Sequence, residues 1–483
     1  TRPAGGPHLG TTWTSDGQGT FTVEDAPKAT RGTDVVLHLK EDAHEFLDPY
    51  RLQQLVRKFS DFVEHPIVMD ETEEKDGVKT MKEVTINNRK AVWLRSKSEV
   101  TQEEYAEFYK SISHDTEPPA KTLHFAVEGK SEFKALVFIP AHRPFTMDWE
   151  EPKGGLKLYA QRVLIMDRCE EVLPPYLRFV TGVVDAADLP LNVSRELLQR
   201  NPLLETIRKN VIRNILSGLE AMKNTEYEKY VAFHKGLGSV LKEGLARDWS
   251  NRDKIADLLL FESANTEPGT YITLADYVAK MPEGQSQIHY LTGETAAQLR
   301  NSPYLEAFKA KGQDVLLLTD PIDEFAIPQY GEYKGKTLQA ADRGDPKEVG
   351  GEIPQETTDR FAALLTALKA TLPEVADVRL TKRLVDSAAC LVADAGGMTA
   401  NLERLMKKFG EAAADSKRVL ELNPDHATVA ALRELFESNP ADARIASVAR
   451  LLLDQAVIAE GSKIADPAGF AKRINELLAA SLR

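Results

Sequence analysis

Arg195 stands out among the polar residues because its position suits chemistry on a phosphate group. Pro190 and Asn192 interrupt regular structure just before Ser194, which can cap a helix that carries Arg195 in its first turn. A positive charge there opposes the helix dipole, so a sequence selected for stability alone would avoid it. With the first amides of the helix and with Gln199 one turn later, the guanidinium can bind a phosphate brought by another domain. The alternative is an ordinary surface ion pair with a neighbouring carboxylate, and spacing alone leaves both interpretations open.

The usual motifs of enzyme and metal sites are missing from the sequence. There is no phosphate-binding G-x-x-x-x-G-K-[ST] loop, no HExxH or paired-cysteine zinc pattern and no G-x-S-x-G hydrolase turn. The glycine clusters at 17–19 and 394–397 lack the strand-then-helix context of nucleotide sites, so we interpret them as turns. We therefore predict no metal site, and the pattern by itself contains no complete active site.

An apolar stripe is the second candidate for function. Met398, Leu402, Leu405, Met406 and Phe409 recur at helical spacing. Spacing alone favours a buried core face. The flexible thioethers, however, also suit an exposed surface that accepts varied partners.

The elements that position these residues indicate several domains. A hairpin around 15–19, a strand at 35–39, a helix at 49–64 and a strand at 66–69 are too few to bury a core alone, so residues 1–70 are interpreted as the remnant of a domain. The charged residues 71–84 predict a short linker. Residues 85–345, with strands at 125–127, 135–140, 158–165 and 315–318 and helices at 203–223, 227–240 and 254–261, predict a layered α/β domain. Residues 346–483 are helix-rich.

The last predicted helix begins near Pro467 and has one apolar face. That face carries Phe470, Ile474, Leu477 and Leu478. It must be buried either against its own domain or against the same helix of a second chain.

Composition limits the classes of function. The chain has 483 residues, 42% hydrophobic and 28% charged, which is typical of a folded soluble protein. Its 61 basic and 74 acidic residues give a formal charge of −13, which disfavours nucleic acid and anionic membrane surfaces as partners. No stretch has the length and apolar character of a membrane span, and no signal peptide is recognisable. Cys169 and Cys390 lie in apolar runs, so we expect two buried, reduced thiols.

The string Leu189-Pro-Leu-Asn-Val-Ser-Arg-Glu-Leu-Leu-Gln199 is similar to the middle-domain signature of the 90-kDa heat-shock protein family of chaperones, in its bacterial form. Others agree in order along the chain, including Trp13-Thr-Ser-Asp-Gly-Gln-Gly19, Thr101-Gln-Glu-Glu-Tyr105, Leu318-Thr-Asp-Pro-Ile-Asp-Glu324 and Glu421-Leu-Asn-Pro-Asp-His426. The resemblance covers essentially the whole chain.

The resemblance implies a homodimeric, ATP-dependent chaperone of non-native client proteins, found in the bacterial cytoplasm. The implied fold is multidomain, α+β and α/β, with the remnant of an N-terminal α+β sandwich, a layered α/β middle domain and a helix-rich α+β C-terminal dimerisation domain. ATP with Mg²⁺ binds the N-terminal domain of such proteins. The family's pocket residues precede the point where this chain begins, so we expect this chain alone to be inactive as an ATPase. A 70-kDa heat-shock chaperone is a further implied partner.

The resemblance also assigns roles to individual residues. Arg195 would contact the γ-phosphate of ATP on domain closure, with Gln199 as its polar companion and Asn192 shaping the same loop. The apolar stripe would lie on a client-binding helix, so the resemblance favours an exposed surface over the buried core face that spacing alone predicts. The implied client-binding residues are Met398, Leu402, Leu405, Met406, Phe325 and Trp149, although a buried anchor suits Trp149 as well. The implied dimerisation residues are Phe470, Ile474, Leu477 and Leu478.

Two classes of function remain open at this point. One is the ATP-driven chaperone, of which this chain carries the middle and C-terminal parts. The other is an ATP-independent dimeric scaffold that holds unfolded proteins. Dependence of client holding on nucleotide would separate them.

Overall fold

The computed structural model describes most of the chain and divides it into two units. The described residues are 1–5, 9–75, 78–129, 132–144, 147, 155–189, 201–343, 350–393, 397–410 and 417–482. The first unit comprises residues 1–90 with 162–164, and the second comprises 91–161 with 165–483.

The first unit contains two hairpins and one helix. Its elements are β1 Leu9–Ser15, β2 Phe21–Pro27, α1 Pro49–Phe59, β3 Val68–Lys75 and β4 Val78–Thr85. Strands β1 and β2 pair antiparallel, and Gly17 and Gly19 adopt positive φ in the turn between them, so the predicted first hairpin is confirmed. Helix α1 begins at Pro49 after the cap Asp48, whose carboxylate accepts the N–H of Tyr50.

One prediction for this unit is wrong. Residues 35–39 form no strand, and the side chains of Val35, Val36 and Leu37 are exposed, because no neighbouring strand pairs with them within the described residues. Within residues 71–84, the described part pairs in the β3–β4 hairpin, in which Glu71 lies opposite Lys82. The role of this segment as a linker between domains remains a prediction.

The second unit begins with a mixed sheet covered by helices. Its elements are α2 Gln102–Ser113, β5 Lys121–Val127, β6 Phe133–Ile139, β7 Leu156–Ala160, β8 Val163–Cys169, β9 Thr181–Ala186, α3 Pro202–Thr225, α4 Tyr227–Arg247 and α5 Arg252–Leu258, and the strand order is β5-β6-β9-β7-β8. Helix α2 begins after Thr101, which forms a capping box with Glu104. The single strand predicted at 158–165 is wrong, because Gln161 and Arg162 adopt positive φ and separate β7 from β8.

A second sheet follows in the chain. Its elements are β10 Glu262–Ser263, α6 Leu274–Ala279, β11 Gln287–Thr292, α7 Ala296–Arg300, α8 Glu306–Ala310, β12 Leu316–Leu318, α9 Asp323–Tyr330, β13 Glu332–Tyr333 and β14 Lys336–Ala340, in the order β10-β12-β11-β14-β13. Strand β12 is fully buried and runs parallel to β11, as its continuous apolar sequence predicted.

The last part of the chain packs helices on a small sheet. Its elements are α10 Gln355–Thr371, β15 Asp377–Leu380, β16 Ala389–Val392, α11 Ala400–Lys408, β17 Val419–Leu422, α12 Ala427–Ser438, α13 Ala443–Ala459 and α14 Pro467–Ser481, with strand order β15-β17-β16. Short 3₁₀ helices lie at Glu41–Leu47, Val92–Leu94, Lys97–Glu99, Glu170–Val172, Pro175–Leu177 and Pro303–Leu305. The architecture is the mixed multidomain α+β fold that was expected. Cys169 and Cys390 are buried free thiols, as predicted. None of the helices in the described part of the chain has the length and apolar character of a membrane span.

A buried ionic cluster joins the small sheet to the sheet before it. Arg383 is fully buried and donates from Nε to Glu421 at 3.0 Å and from Nη1 to the carbonyl of Ala341 at 2.7 Å. Glu421, also fully buried, accepts two further bonds from Arg379 at 3.0 and 2.6 Å. Apolar contact between Phe308 and residues of β16 and β17 surrounds the cluster.

Glu306 makes a second polar connection across the same junction. Its Oε2 accepts the backbone N–H groups of Val385, Asp386 and Ser387 at 2.6, 2.9 and 3.1 Å. The carbonyls of Val385 and Ser387 in turn accept from the Asn423 amide at 3.2 Å. Residues 385–387 are thus hydrogen-bonded both to Glu306, at the start of α8, and to Asn423, just after β17. The predicted boundary at 345/346 lies outside the described residues, and the domain limits remain predictions.

Removing the charge of Glu421 should strongly destabilise this part of the chain. Glu421→Gln leaves the buried Arg383 guanidinium without its counter-charge, so we expect a loss of about 3–5 kcal/mol in the free energy of unfolding. Denaturant unfolding measures it, with Glu434→Gln as the control, because Glu434 is 71% exposed and lies 3.7 Å from Arg433. A loss below about 1 kcal/mol would show that the cluster contributes little.

Candidate functional site

The loop predicted to contact phosphate lies outside the described residues. Asn192, Arg195 and Gln199 all fall within 190–200. The chain enters this loop after β9, where the buried Asp185 accepts a bond from Nε1 of Trp93 at 3.0 Å. It leaves the loop at α3, whose cap Asn201 accepts the N–H of Leu203. The roles of the three loop residues remain predictions.

Few of the described residues of the first unit are buried. Among the residues of 1–90 whose exposure is described, only Gly10 and Asn87 are buried. Trp13 and Phe21 stack on each other at 6.2 Å but are 64% and 63% exposed. ATP pockets bury most of the ligand in a concave site. Apart from Gly10 and Asn87, the residues of this unit whose exposure is described supply none of the buried lining that such a pocket needs.

Helix α11 carries three of the six predicted client-binding residues, and Met398 lies just before it. Thr399 caps it by accepting the N–H of Leu402 at 3.0 Å. Met398, Leu402, Leu405 and Met406 are half-buried in this chain, and Phe409 just after the helix is 71% exposed. The stripe is thus neither a fully buried core face nor fully exposed.

The polar side chains of α11 hold the helix to its surroundings. Glu403 forms an ion pair with Arg418 at 2.6 Å, and Arg418 pairs with Glu460 at 2.8 Å. Arg404 donates to the Glu460 carbonyl at 3.3 Å and to the Ser462 hydroxyl at 3.4 Å. The Glu403 side chain is only 12% exposed. An ordinary surface helix buries its apolar side and exposes its polar side. In α11, Asn401, Glu403 and Arg404 are buried or half-buried like the apolar residues, and only the lysines at its end are exposed.

Two buried carboxyl groups lie beneath α11. Asp342 and Glu460 line a small cavity with Asn401 and Arg404. Burial raises the pKa of Asp342 to about 6 and the pKa of Glu460 to about 7, in the second case against the opposing effect of Arg418. The described residues contain no cluster of His, Cys, Asp and Glu placed to bind a metal ion.

Helix α9, which carries Phe325, is hydrogen-bonded to the start of α11. Glu324, next to Phe325 in α9, accepts bonds from the Thr399 hydroxyl at 3.0 Å and from the Asn401 amide at 2.9 Å. Phe325 itself is 43% exposed. Trp149, the remaining predicted client residue, lies outside the described residues.

Helix α9 is fixed on its other side by a buried ion triad. Lys242 on α4 lies 2.7 Å from Asp320 and 2.9 Å from Asp323. Burial opposes the charge of Lys242, but the two carboxylates outweigh it and raise its pKa. Asp323 and Glu324, adjacent in sequence, therefore connect α4 to α11.

Sequence reasoning missed the polar residues that place α11. Thr399 before an apolar run was a recognisable cap signal. Glu324, Arg418 and Glu460 carried no such signal, because their partners are distant in sequence and are set by the fold.

The predicted dimerisation residues lie on α14 beside an open groove. Phe470 and Ile474 are half-buried, whereas Leu477 and Leu478 are 47% and 54% exposed. Arg473 connects α14 to α13 through Asp454 at 2.7 Å. A groove of about 1040 Å³ runs along α12, α13 and α14, with apolar lining from Ala431, Leu432, Leu435, Val448 and Leu477.

Comparison with known proteins identifies the family. The family described as "Hsp90 protein" matches residues 69–483. Chaperone protein HtpG of Geobacter sulfurreducens is 48% identical over 492 residues, covering 98% of this chain and 76% of the relative. The HtpG proteins of Geobacter metallireducens and Dechloromonas aromatica are 47% and 44% identical, covering 98% and 97% of this chain and 76% and 74% of the relatives. The resemblance seen in the sequence is confirmed, and the chain belongs to the Hsp90 family of molecular chaperones.

Proposed function

We propose that this chain binds non-native client proteins on an apolar surface formed by α11 and Phe325, which we name the client face. It comprises Phe325, Met398, Leu402, Leu405, Met406 and Phe409. The observation that carries this proposal is the pair of hydrogen bonds from Thr399 and Asn401 to Glu324, which attach α9, the helix of Phe325, to the start of α11.

The attachment of α11 supports the proposal. Glu403 and Arg404 secure the helix through polar contacts, so burial of the apolar side chains is not what holds it in place. Those side chains therefore stay partly accessible and can exchange water for the apolar groups of a client. Methionine side chains adapt to differently shaped partners.

We also propose that two copies associate through α14 and its groove. Leu477 and Leu478 expose apolar area that a monomer would leave in water. The same helix from a second chain can fill the groove in an isologous contact. A dimer places two client faces in one particle and raises the effective concentration of the second.

The proposal also concerns how client binding depends on ATP. We propose that ATP with Mg²⁺ acts only through a nucleotide-binding domain of the N-terminal type, and that Arg195, Gln199 and Asn192 contact the nucleotide when that domain closes. The second candidate, an ATP-independent dimeric holding scaffold, is favoured for this chain alone by the small number of buried residues within the described part of residues 1–90.

We propose a bacterial cytoplasmic location and a 70-kDa heat-shock chaperone as a further partner. The organisms of the relatives support the first, and the family resemblance supports the second.

Polar substitution on the client face should weaken client holding. We expect Leu405→Ser with Met406→Ser to weaken binding of an unfolded protein about tenfold, because two apolar contacts are lost. Suppression of client aggregation and a binding titration measure this. Lys408→Ser, an exposed change on the same helix, is the control and should bind as the wild type does. Full holding by the double variant would refute the assignment, provided that both proteins sediment as the wild type does.

Charged substitutions on α14 should dissociate the dimer. Leu477→Asp with Leu478→Asp would place carboxylates in the apolar contact, so we expect the dimer dissociation constant to rise at least about a hundredfold. Sedimentation velocity over a concentration series measures it. Lys472→Asp introduces the same residue at an exposed position of the same helix and should leave the dimer intact. A double variant that remains dimeric would place the interface elsewhere.

Titration calorimetry of ATP with Mg²⁺ tests the nucleotide proposal. We expect no binding heat with this chain, since few of the described residues of the first unit are buried. Joined to the nucleotide-binding domain of the Geobacter sulfurreducens relative, the chain should hydrolyse ATP, and Arg195→Ala should lower turnover at least about a hundredfold through lost charge neutralisation. Stoichiometric binding to the chain alone, or unchanged turnover in the variant, would contradict this part of the account.

A further inference from the structure

Trp249 is an exposed tryptophan that the proposed function leaves unused. It lies just after α4 and is 71% exposed. An aromatic side chain of this size in water is a frequent anchor of protein interfaces, because its burial releases a large apolar area at little cost in side-chain entropy.

The turn that carries Trp249 is held in place by Asp248. The Asp248 carboxylate accepts the Tyr176 hydroxyl at 2.7 Å, the Ser250 N–H at 3.2 Å, and the Asn251 N–H and side-chain amide at 3.1 and 2.9 Å. Tyr176 belongs to the core, so the turn is anchored to the body of the fold. A partner that binds Trp249 therefore does not have to order a mobile loop first.

Arg252 lies beside Trp249 with its polar edge unused. Its Cζ is 4.7 Å from the centroid of the Trp249 ring and 5.7 Å from that of Tyr330. Within the described part of the chain, Arg252 has no hydrogen bond or ion pair with any other residue. A guanidinium stacked on aromatic rings keeps its N–H groups directed and can bind a carboxylate or a backbone carbonyl.

Arg252 is the cation beside Trp249 that an acidic partner can reach. Neither Arg252 nor Lys254 has a carboxylate partner among the described residues, whereas Arg247 forms an ion pair with Glu243 at 3.9 Å. Asp248 and Asp253 keep their negative charge but direct oxygens to protein donors, Asp253 to the Tyr330 hydroxyl at 3.0 Å. The stacked guanidinium of Arg252 is therefore the charge that can select a client carboxylate.

Helix α9 links this site to the client face. Tyr330, which contacts Arg252, is the last residue of α9, and Phe325 lies five residues earlier, roughly 7.5 Å along the helix axis. Pro328 and Gln329 between them are exposed. An extended peptide can span this distance with a few residues.

We propose that Trp249 and Arg252 form a second contact point for the same client chain, and that it selects segments in which an acidic residue adjoins an apolar one. The apolar side chain packs on Trp249, and the client carboxylate binds Arg252. This inference rests on the proposed function, because it extends the client face along α9.

Binding of two unstructured fluorescent peptides to the full chain tests the proposal. One peptide carries an aspartate next to a leucine and a phenylalanine, and the other has lysine in place of the aspartate. We expect the aspartate peptide to bind more tightly, Trp249→Ala to weaken it about 5- to 30-fold, and Trp249→Phe to retain most of the affinity. Arg252→Gln should remove the preference for aspartate while leaving the lysine peptide unaffected.

The controls separate failure of this inference from failure of the proposed function. Trp13→Ala removes an exposed tryptophan elsewhere and should change nothing. If Trp249→Ala binds both peptides normally while Leu405→Ser with Met406→Ser does not, the second contact point is wrong and the client face stands. If neither variant affects peptide binding, the proposed function itself fails. If Trp249→Ala changes the sedimentation of the protein instead, the surface is a contact between copies and the proposal is overturned.

Discussion

The buried cluster of Arg383 and Glu421 is the interaction on which the arrangement of the second unit depends. Arg383 is completely removed from water, and a charge in that environment is tolerated only when it is paired and hydrogen-bonded. Glu421 comes from the small sheet and the Ala341 carbonyl from the end of the preceding sheet, so one guanidinium requires both to stay in register. Glu306 adds three backbone N–H contacts across the same junction. Polar groups of this kind constrain direction more strongly than apolar contact does, because each bond has a defined geometry.

This junction gives the client face its shape. Once the two sheets are held together, Glu324 on α9 can accept hydrogen bonds from Thr399 and Asn401 at the start of α11. Lys242, through Asp320 and Asp323, fixes the same end of α9 to α4. The apolar residues of α11 are therefore presented by polar attachments at two points, Glu324 at the start of the helix and Arg418 with Glu460 near its middle. Such polar attachments keep the apolar side chains from being buried in the core of this chain. The side chains therefore stay accessible to apolar segments of different clients.

The spacing of apolar residues in the sequence was sufficient to predict those helices and strands whose structure depends on local residues alone. Helix α14, the buried β12 and the capped α2 followed from the spacing of apolar residues and from local caps. It was insufficient for elements that form only when a segment distant in sequence pairs with them. Residues 35–39 have the composition of a strand but no neighbour, and the turn at Gln161 and Arg162 lacks the glycine or asparagine that usually marks positive φ. The residues of the apolar stripe could be named from the sequence, but their polar attachments could not, since those pairs lie far apart along the chain.

Hydrogen exchange of the chain with and without a permanently unfolded client tests the central claim most directly. The account predicts slower exchange of backbone amides in α11 and the residues after it, and in α9 around Phe325, when the client is bound. Exchange elsewhere in the small sheet should stay unchanged, because the junction is already ordered. Protection confined to other surfaces, with α9 and α11 unaffected, would contradict the assignment of the client face.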